Sequence, residues 1–392
     1  MKNQKIKAVP LLDLQSQLTP LRAEIMTAVK DVIDSTQYIM GPKVEELENS
    51  IAEYSGVSHA VGVSSGTDAL LLALMALDIG PGDLVITSNF SFFATAGVVA
   101  RLNATPVFVD IDPVSFNLSP KALGNLLSNM KEKERKKVKA VIPVHLYGQC
   151  AEMSSILSIT RQFGIPVIED AAQAIGAEYL IENEVKRAGS LGSIGCFSFF
   201  PSKNLGGIGD GGMIVTSDDE IAKILKLKRV HGESTQYHHE VIGGNFRMDP
   251  IQAAVLTVKL QYLNKWHQER QKNAEYYSIL FQQENIADLI LPQSIYSKQG
   301  LSNYHIFNQY VIRTERRNEL QTHLAKHQIA ARIYYPIPFH LQPCFQSLGY
   351  QKGDFPESEK AAQTVLALPV YPELTDAMQE YVVEKIVEFF RK

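Results

Sequence analysis

The chain has 392 residues, of which 45% are hydrophobic and 20% charged, with a net charge of -4. This size and apolar content predict one large unit plus a smaller one, and the slightly acidic balance gives no electrostatic footprint for nucleic acid or an anionic membrane. The three cysteines, Cys150, Cys196 and Cys344, follow neither disulfide nor metal-ligand spacing, as expected in a reducing compartment. The basic opening MKNQKIK precedes no apolar signal core, and no window reaches the ~18 apolar residues of a membrane span. A cytoplasmic protein acting on small molecules is the expectation.

From residue 56 to 216, apolar β-branched runs alternate with amphipathic stretches. HAVGVSS (59–65) precedes a helical GTDALLLALMAL, DLVITS (83–88) precedes ATAGVVARL, and TPVFVDID (105–112) follows. KAVIPVHLYG (139–148), a helix near 151–163 and IPVIED (165–170) continue the pattern. Such runs predict parallel strands buried on both faces, in an α/β sheet whose ligands bind at the strands' carboxyl ends. After Asp249 a long stretch with helical periodicity, PIQAAVLTVKLQYLNKWHQERQKNAEYYSILFQQ, predicts one helix linking two domains. A strand at 304–313, a helix at 316–328, a strand in IAARIYYPI and a terminal helix at 375–390 predict a smaller α/β domain. The domain expectation is 1–250 for the larger unit and 251–392 for the linker helix and smaller one. The charged run KEKERKKVK (131–139) reads as a solvated helix end.

FSFFPSKNLGGIGDGG (197–212) can be read in two ways. Gly207, Gly209 and Gly212 have the G-x-G-x-x-G spacing of a dinucleotide cradle, but MIVTSDD follows, and a strand cannot supply the helix N-terminus that cradle requires. The glycines then form a turn beside something bound. Lys203 lies between the apolar CFSFF and that turn, a setting that desolvates an amine and frees it for Schiff-base chemistry. Asp170 ends a buried strand, where it either caps the next helix or faces a cationic ring nitrogen. Gln173, three residues on, shares its side. Ser65, Gly66 and Thr67 open a helix, as an ordinary cap or as an anion site. Phe92 is either core or a ring-stacking surface. His238 and His239 are adjacent, with no supporting ligand nearby, and no metal site is expected.

In this order IMGPKVEELE, SGTDAL, FSFFAT, PVHLYGQ, VIEDAAQAIGA, FSFFPSKNLGGIGDGG, HHEVIGGNFRMDPIQAA and YYPIPFHLQ make the chain resemble the DegT/DnrJ/EryC1/StrS family of nucleotide-sugar aminotransferases. The resemblance implies a fold-type I pyridoxal-phosphate transferase, with a mostly parallel seven-stranded sheet in the large α/β domain and a smaller C-terminal α/β domain. It implies catalysis by Lys203 and Asp170, with Lys203 holding pyridoxal 5'-phosphate and moving the proton, and Asp170 on the ring nitrogen. Gln173 would contact the ring oxygen, Gly66, Thr67 and Ser198 the phosphate, and Phe92 the ring face. Asn245 would reach the partner subunit's cofactor across a homodimer interface. L-glutamate is the expected amino donor, leaving pyridoxamine phosphate, which then aminates a keto-sugar. Lys203 stands where dehydratase members carry histidine, which favours amination.

Gly209-Asp210-Gly211-Gly212 with YPIPFHLQ looks more like the branch acting on 3-keto sugars, and HHEVIGGNFRMD like its members using UDP-linked 2-acetamido-3-keto sugars or their uronates. GYQKGDFPESE is shared with members using dTDP-3-keto-6-deoxyhexoses. Arg247, Tyr335 and His340 are the candidate substrate contacts, each with a structural alternative. The two rival readings are C4 amination on the same scaffold and a non-catalytic family member that binds cofactor or sugar as a regulator.

Overall fold

The computed structural model describes residues 8–391. The first seven residues of the basic opening stretch lie outside them. Seven strands form the large sheet: β1 (His59–Val63), β2 (Leu84–Ser88), β3 (Thr105–Val109), β4 (Val138–Ile142), β5 (Ile168–Asp170), β6 (Ile194–Ser198) and β7 (Gly212–Thr216). Their spatial order is β1-β7-β6-β5-β4-β2-β3. The two halves join where β4 runs alongside β5, through Val141 N to Pro166 O (3.0 Å) and Asp170 N to Pro143 O (2.9 Å). β7 is antiparallel to both neighbours and the other strands run parallel.

Burial explains the strand sequences. β6 and β7 are buried almost throughout, so an alternating polar face would leave charge unsolvated against a helix. Helix Gly66–Ala76 covers one face with Leu70, Leu72 and Leu74, each about fully buried. Helix Pro250–Leu260 contributes Ala253, Val255 and Leu256 to the core on the other side, with Leu47 and Ile51 of helix Pro42–Ser55.

A second core surrounds an antiparallel pair, β8 (Tyr310–Arg313) with β9 (Val365–Leu368). Helices Arg317–Lys326 and Asp376–Arg391 close over it with Leu320, Leu324, Val382 and Ile386. Val9 is buried in this same core and bridges to Ile329.

The structure differs from the sequence pattern in three places. The stretch predicted as one linking helix breaks at Gln261–Tyr262 into Pro250–Leu260 and Leu263–Glu284. Leu263 and Trp266 still pack in the first core while Ala274, Tyr277 and Phe281 pack in the second, so the second helix bridges the two. Of the strand expected at 304–313, only Tyr310–Arg313 pairs; Ile306 N instead donates to Gly148 O at 2.9 Å. IAARIYYPI forms only isolated bridges, at Ile329 and Arg332, because its two tyrosines turn into a cavity instead of continuing along the sheet. Among the described residues, no helix is long and apolar enough to cross a membrane.

Candidate active site

At the carboxyl ends of β1, β5 and β6 lies a cavity of about 400 Å³. Its floor is built by backbone proximity. Ser65 caps helix Gly66–Ala76, its Oγ accepting from Asp68 N at 3.0 Å. A Cβ on Gly66 would sit 2.5 Å from Ser198 Cβ, so only glycine lets the helix N-terminus approach the end of β6. Gly66, Thr67 and Ser198 therefore share one corner, where unpaired helix N–H groups and two hydroxyls suit an anion.

Asp170 enters from the end of β5 and is buried. Its Oδ2 accepts from Thr95 Oγ1 at 2.7 Å and its Oδ1 from Ala172 N at 3.2 Å. Desolvation pushes this carboxyl up, while the two hydrogen bonds and the nearby Lys203 and His145 act the other way. Lys203 follows β6 in the turn, its N–H donating to Phe200 O at 2.8 Å. Burial brings its amine down to about 8, against a smaller opposing pull from Asp170. An amine partly neutral near physiological pH beside a buried carboxylate is equipped for imine formation and proton transfer.

Gln173 lies between two fixed groups. Its Oε1 accepts from Tyr147 N at 2.8 Å and its Nε2 donates to Tyr335 OH at 3.0 Å, which leaves one amide hydrogen for a ligand. Phe92 is not core: it is 55% exposed and stands at the cavity wall, its ring centroid 6.1 Å from that of Tyr335. Beneath Asp170, on the reverse of β5, the buried Glu169 accepts from Gly189 N, Leu191 N, Gly192 N and His145 Nε2. His145 Nδ1 accepts from Ala151 N at 3.0 Å, and this fixes the ring's tautomer.

Eight sequence-predicted residues thus line one cavity: Gly66, Thr67, Phe92, Asp170, Gln173, Ser198, Lys203 and Tyr335. Three do not. His340 is buried, with Nδ1 accepting from Asn89 Nδ2 (2.7 Å) and Nε2 facing Glu359 Oε1 (3.1 Å), and it ties the loop after β2 to helix Pro356–Thr364. Arg247 pairs with Val63 in an isolated bridge, and Asn245 is exposed on the segment bridged to Val230. His238 and His239 form an exposed two-residue strand. The sequence reading missed Thr95, Gln309 and Tyr334; Thr95, three positions after Phe92 at a helix start, looks in sequence like an ordinary cap.

The glycine turn also acquires a reason. A Cβ on Gly207 or Gly209 would meet the Gln252 side chain at 2.7 and 2.6 Å, and Ile208 N donates to Gln252 Oε1 at 2.9 Å. The spacing serves close contact with helix Pro250–Leu260.

An anion corner, a strand-end carboxylate, an aromatic wall and a desolvated lysine in one cavity fit pyridoxal 5'-phosphate, and the sheet that holds them is that of fold-type I pyridoxal-phosphate enzymes. The model of the DegT/DnrJ/EryC1/StrS aminotransferase family matches residues 20–387, and the chain belongs to that family. It is a pyridoxal-phosphate-dependent aminotransferase. A Geobacillus stearothermophilus protein named pleiotropic regulatory protein is 49% identical over 98% of this chain and 99% of its own. The UDP-N-acetyl-3-dehydro-alpha-D-glucosamine 3-aminotransferase of Acidithiobacillus ferrooxidans is 42% identical over 94% of each chain. The dTDP-3-amino-3,4,6-trideoxy-alpha-D-glucose transaminase of Streptomyces venezuelae is 38% identical, over 97% of this chain and 96% of its own. Among solved structures, S. venezuelae DesV superposes with a TM-score of 0.91 at 36% identity, covering 99% of this chain and 100% of that one. NtdA of Bacillus subtilis, solved with its cofactor PMP, gives 0.88 at 30% identity, covering 100% and 87%.

Proposed function

We propose that this enzyme moves an amino group from L-glutamate to the C3 ketone of a nucleotide sugar, with a UDP-linked 2-acetamido-3-keto sugar or its uronate favoured, for surface polysaccharide or a related glycoconjugate. The observation that carries the amine chemistry is Lys203, its amine brought down to about 8 in the cavity that Asp170 also lines. The UDP and C3 preference rests on the Gly209–Gly212 turn, the HHEVIGGNFRMD segment and the resemblance to the A. ferrooxidans enzyme.

Pyridoxal phosphate, when bound, supplies an electron sink for the amine's α-carbon. In this reading the corner of Gly66, Thr67 and Ser198 binds the phosphate, and Phe92 covers one ring face. Gln173 donates its remaining amide hydrogen to the ring oxygen. Asp170, as carboxylate, keeps a proton on the ring nitrogen. Lys203 would hold the cofactor covalently and, once released as a free amine, would act as the base that moves the donor's α-proton. Tyr334, Tyr335 and Phe200 add aromatic walls to the same cavity.

The same reading makes the active unit a homodimer, with Asn245 serving the partner's cofactor. Asn245 does not line its own cavity, and its segment exposes Ile242 at 88% and Tyr237 at 85%, apolar area that a second copy would cover.

The test has two stages. Addition of pyridoxal phosphate gives a visible absorption band in wild type and none in Lys203→Ala; no band in wild type would overturn the cofactor roles. Glutamate with a panel of UDP- and dTDP-linked 3-keto and 4-keto sugars then gives 2-oxoglutarate. Turnover confined to 4-keto sugars reverses the regiochemistry, and cofactor binding with no turnover on any sugar selects the regulatory reading.

A further inference from the structure

Asp170 is the group on which the proposed electron sink depends, and what fixes it is a residue outside the roles assigned so far. Thr95 is fully buried at the start of helix Ala94–Arg101, and Asp170 is 5% exposed. Their 2.7 Å contact is therefore closed to water on the Thr95 side. The hydroxyl carries one hydrogen and has three acceptors in reach, Asp170 Oδ2 at 2.7 Å, Phe92 O at 3.2 Å and Ser91 Oγ at 3.4 Å. The shortest bond goes to the group able to carry charge, and a charge-assisted bond is roughly twice as strong as a neutral one. The other carboxylate oxygen has only the longer bond from Ala172 N. Thr95 is thus the closest donor holding Asp170, and it sits one helical turn from the ring at the cavity wall.

We propose that Thr95 is a positioning residue for this aminotransferase, aiming Asp170 Oδ2 and keeping Asp170 ionised so that the cofactor's ring nitrogen stays protonated. The inference rests on the cofactor role given to Asp170 above. Burial alone favours the neutral acid. Thr95 opposes it, together with Ala172 N and the charges of Lys203 and His145, whereas Cys196 and Tyr335, which also face the carboxylate, remain protonated and give it no charge. Removing the Thr95 donor therefore raises the pH at which Asp170 loses its proton.

Thr95→Val keeps the branched shape and removes the donor; Thr95→Ser keeps the donor. In the apo-protein, carboxyl-labelled Asp170, assigned by its absence in Asp170→Asn, is titrated by NMR. The midpoint is expected to rise by about one pH unit in Thr95→Val, a tenfold change in the ionised fraction, and to stay unchanged in Thr95→Ser. Pyridoxal phosphate affinity, followed from pH 5.5 to 8, is expected to fall roughly tenfold in Thr95→Val with its acid limb displaced upward, and serine restores both. An unmoved midpoint in Thr95→Val overturns the proposal, as does an equal loss in the valine and serine variants with lowered melting temperature. Because the titration needs no cofactor, it separates failure of this inference from failure of the cofactor assignment, which wild type would reveal by binding no pyridoxal phosphate.

Discussion

The amine of Lys203 sets a measurable rate. At pH 7.5 an ordinary lysine near 10.5 is neutral in about one molecule in a thousand, whereas one at about 8 is neutral in about a quarter, roughly a 200-fold gain in nucleophile. Apo-enzyme mixed with pyridoxal phosphate in a stopped-flow spectrometer should bind it tenfold faster per pH unit up to about 8, then level off. Asp170→Asn removes the charge that holds the proton on Lys203, so its plateau should begin at lower pH. The same shift acts on stability. The unfolded lysine keeps its proton to about 10.5 and the folded one loses it at about 8, so between these values the unfolded state binds more protons and stability rises with pH. Below pH 8 the cost of burying the charge is fully present. The wild-type gain over Lys203→Met in denaturant melts should therefore grow from pH 8 to 10. A binding rate that climbs log-linearly to pH 10 would refute the desolvation argument.

Gly66→Ala should lower stability by about 1–3 kcal/mol in chemical denaturation, because the new methyl meets the Cβ and backbone of Ser198, and should also weaken pyridoxal phosphate binding. Unchanged affinity would show that this corner holds no phosphate. His340→Leu should cost about 1–3 kcal/mol by leaving Asn89 Nδ2 unpaired and taking from Glu359 Oε1 one of its two partners, while the KM for the sugar stays near wild type; a selective rise in KM would return His340 to the substrate. Mixing inactive Lys203→Ala with inactive Asn245→Ala and allowing subunits to exchange should restore roughly a quarter of wild-type activity, since half the dimers are hybrids with one intact site. No recovery would argue that each site is built within one chain.

The strands of the large sheet were legible because burial on both faces demands unbroken apolar runs, as in CFSFF and MIVT. Asp170 and Lys203 were legible because both follow such runs, and strand ends converge on one crevice. Chemistry alone could not sort His340 from Tyr335. Both are titratable residues in one loop-rich stretch, and only folding shows that Tyr335 reaches Gln173 while His340 turns to Asn89. The break at Gln261–Tyr262 was invisible because apolar residues keep a helical period across it. Thr95 escaped for the opposite reason: its position explains itself locally, so nothing pointed to a carboxylate 75 residues away.

The contact between Gln252 and the glycine turn limits what can be moved to another scaffold. The loop bearing Lys203 is fastened to helix Pro250–Leu260 by Gln252, and also by Lys259 Nζ, which donates to Gly206 O. A graft of the sixteen contiguous residues from Phe197 to Gly212 would carry the reactive amine without the two side chains that hold its loop in shape. A transplantable site therefore has to include one face of a helix roughly 40 positions downstream, and a designer copying only the motif should obtain a lysine whose amine titrates like any other.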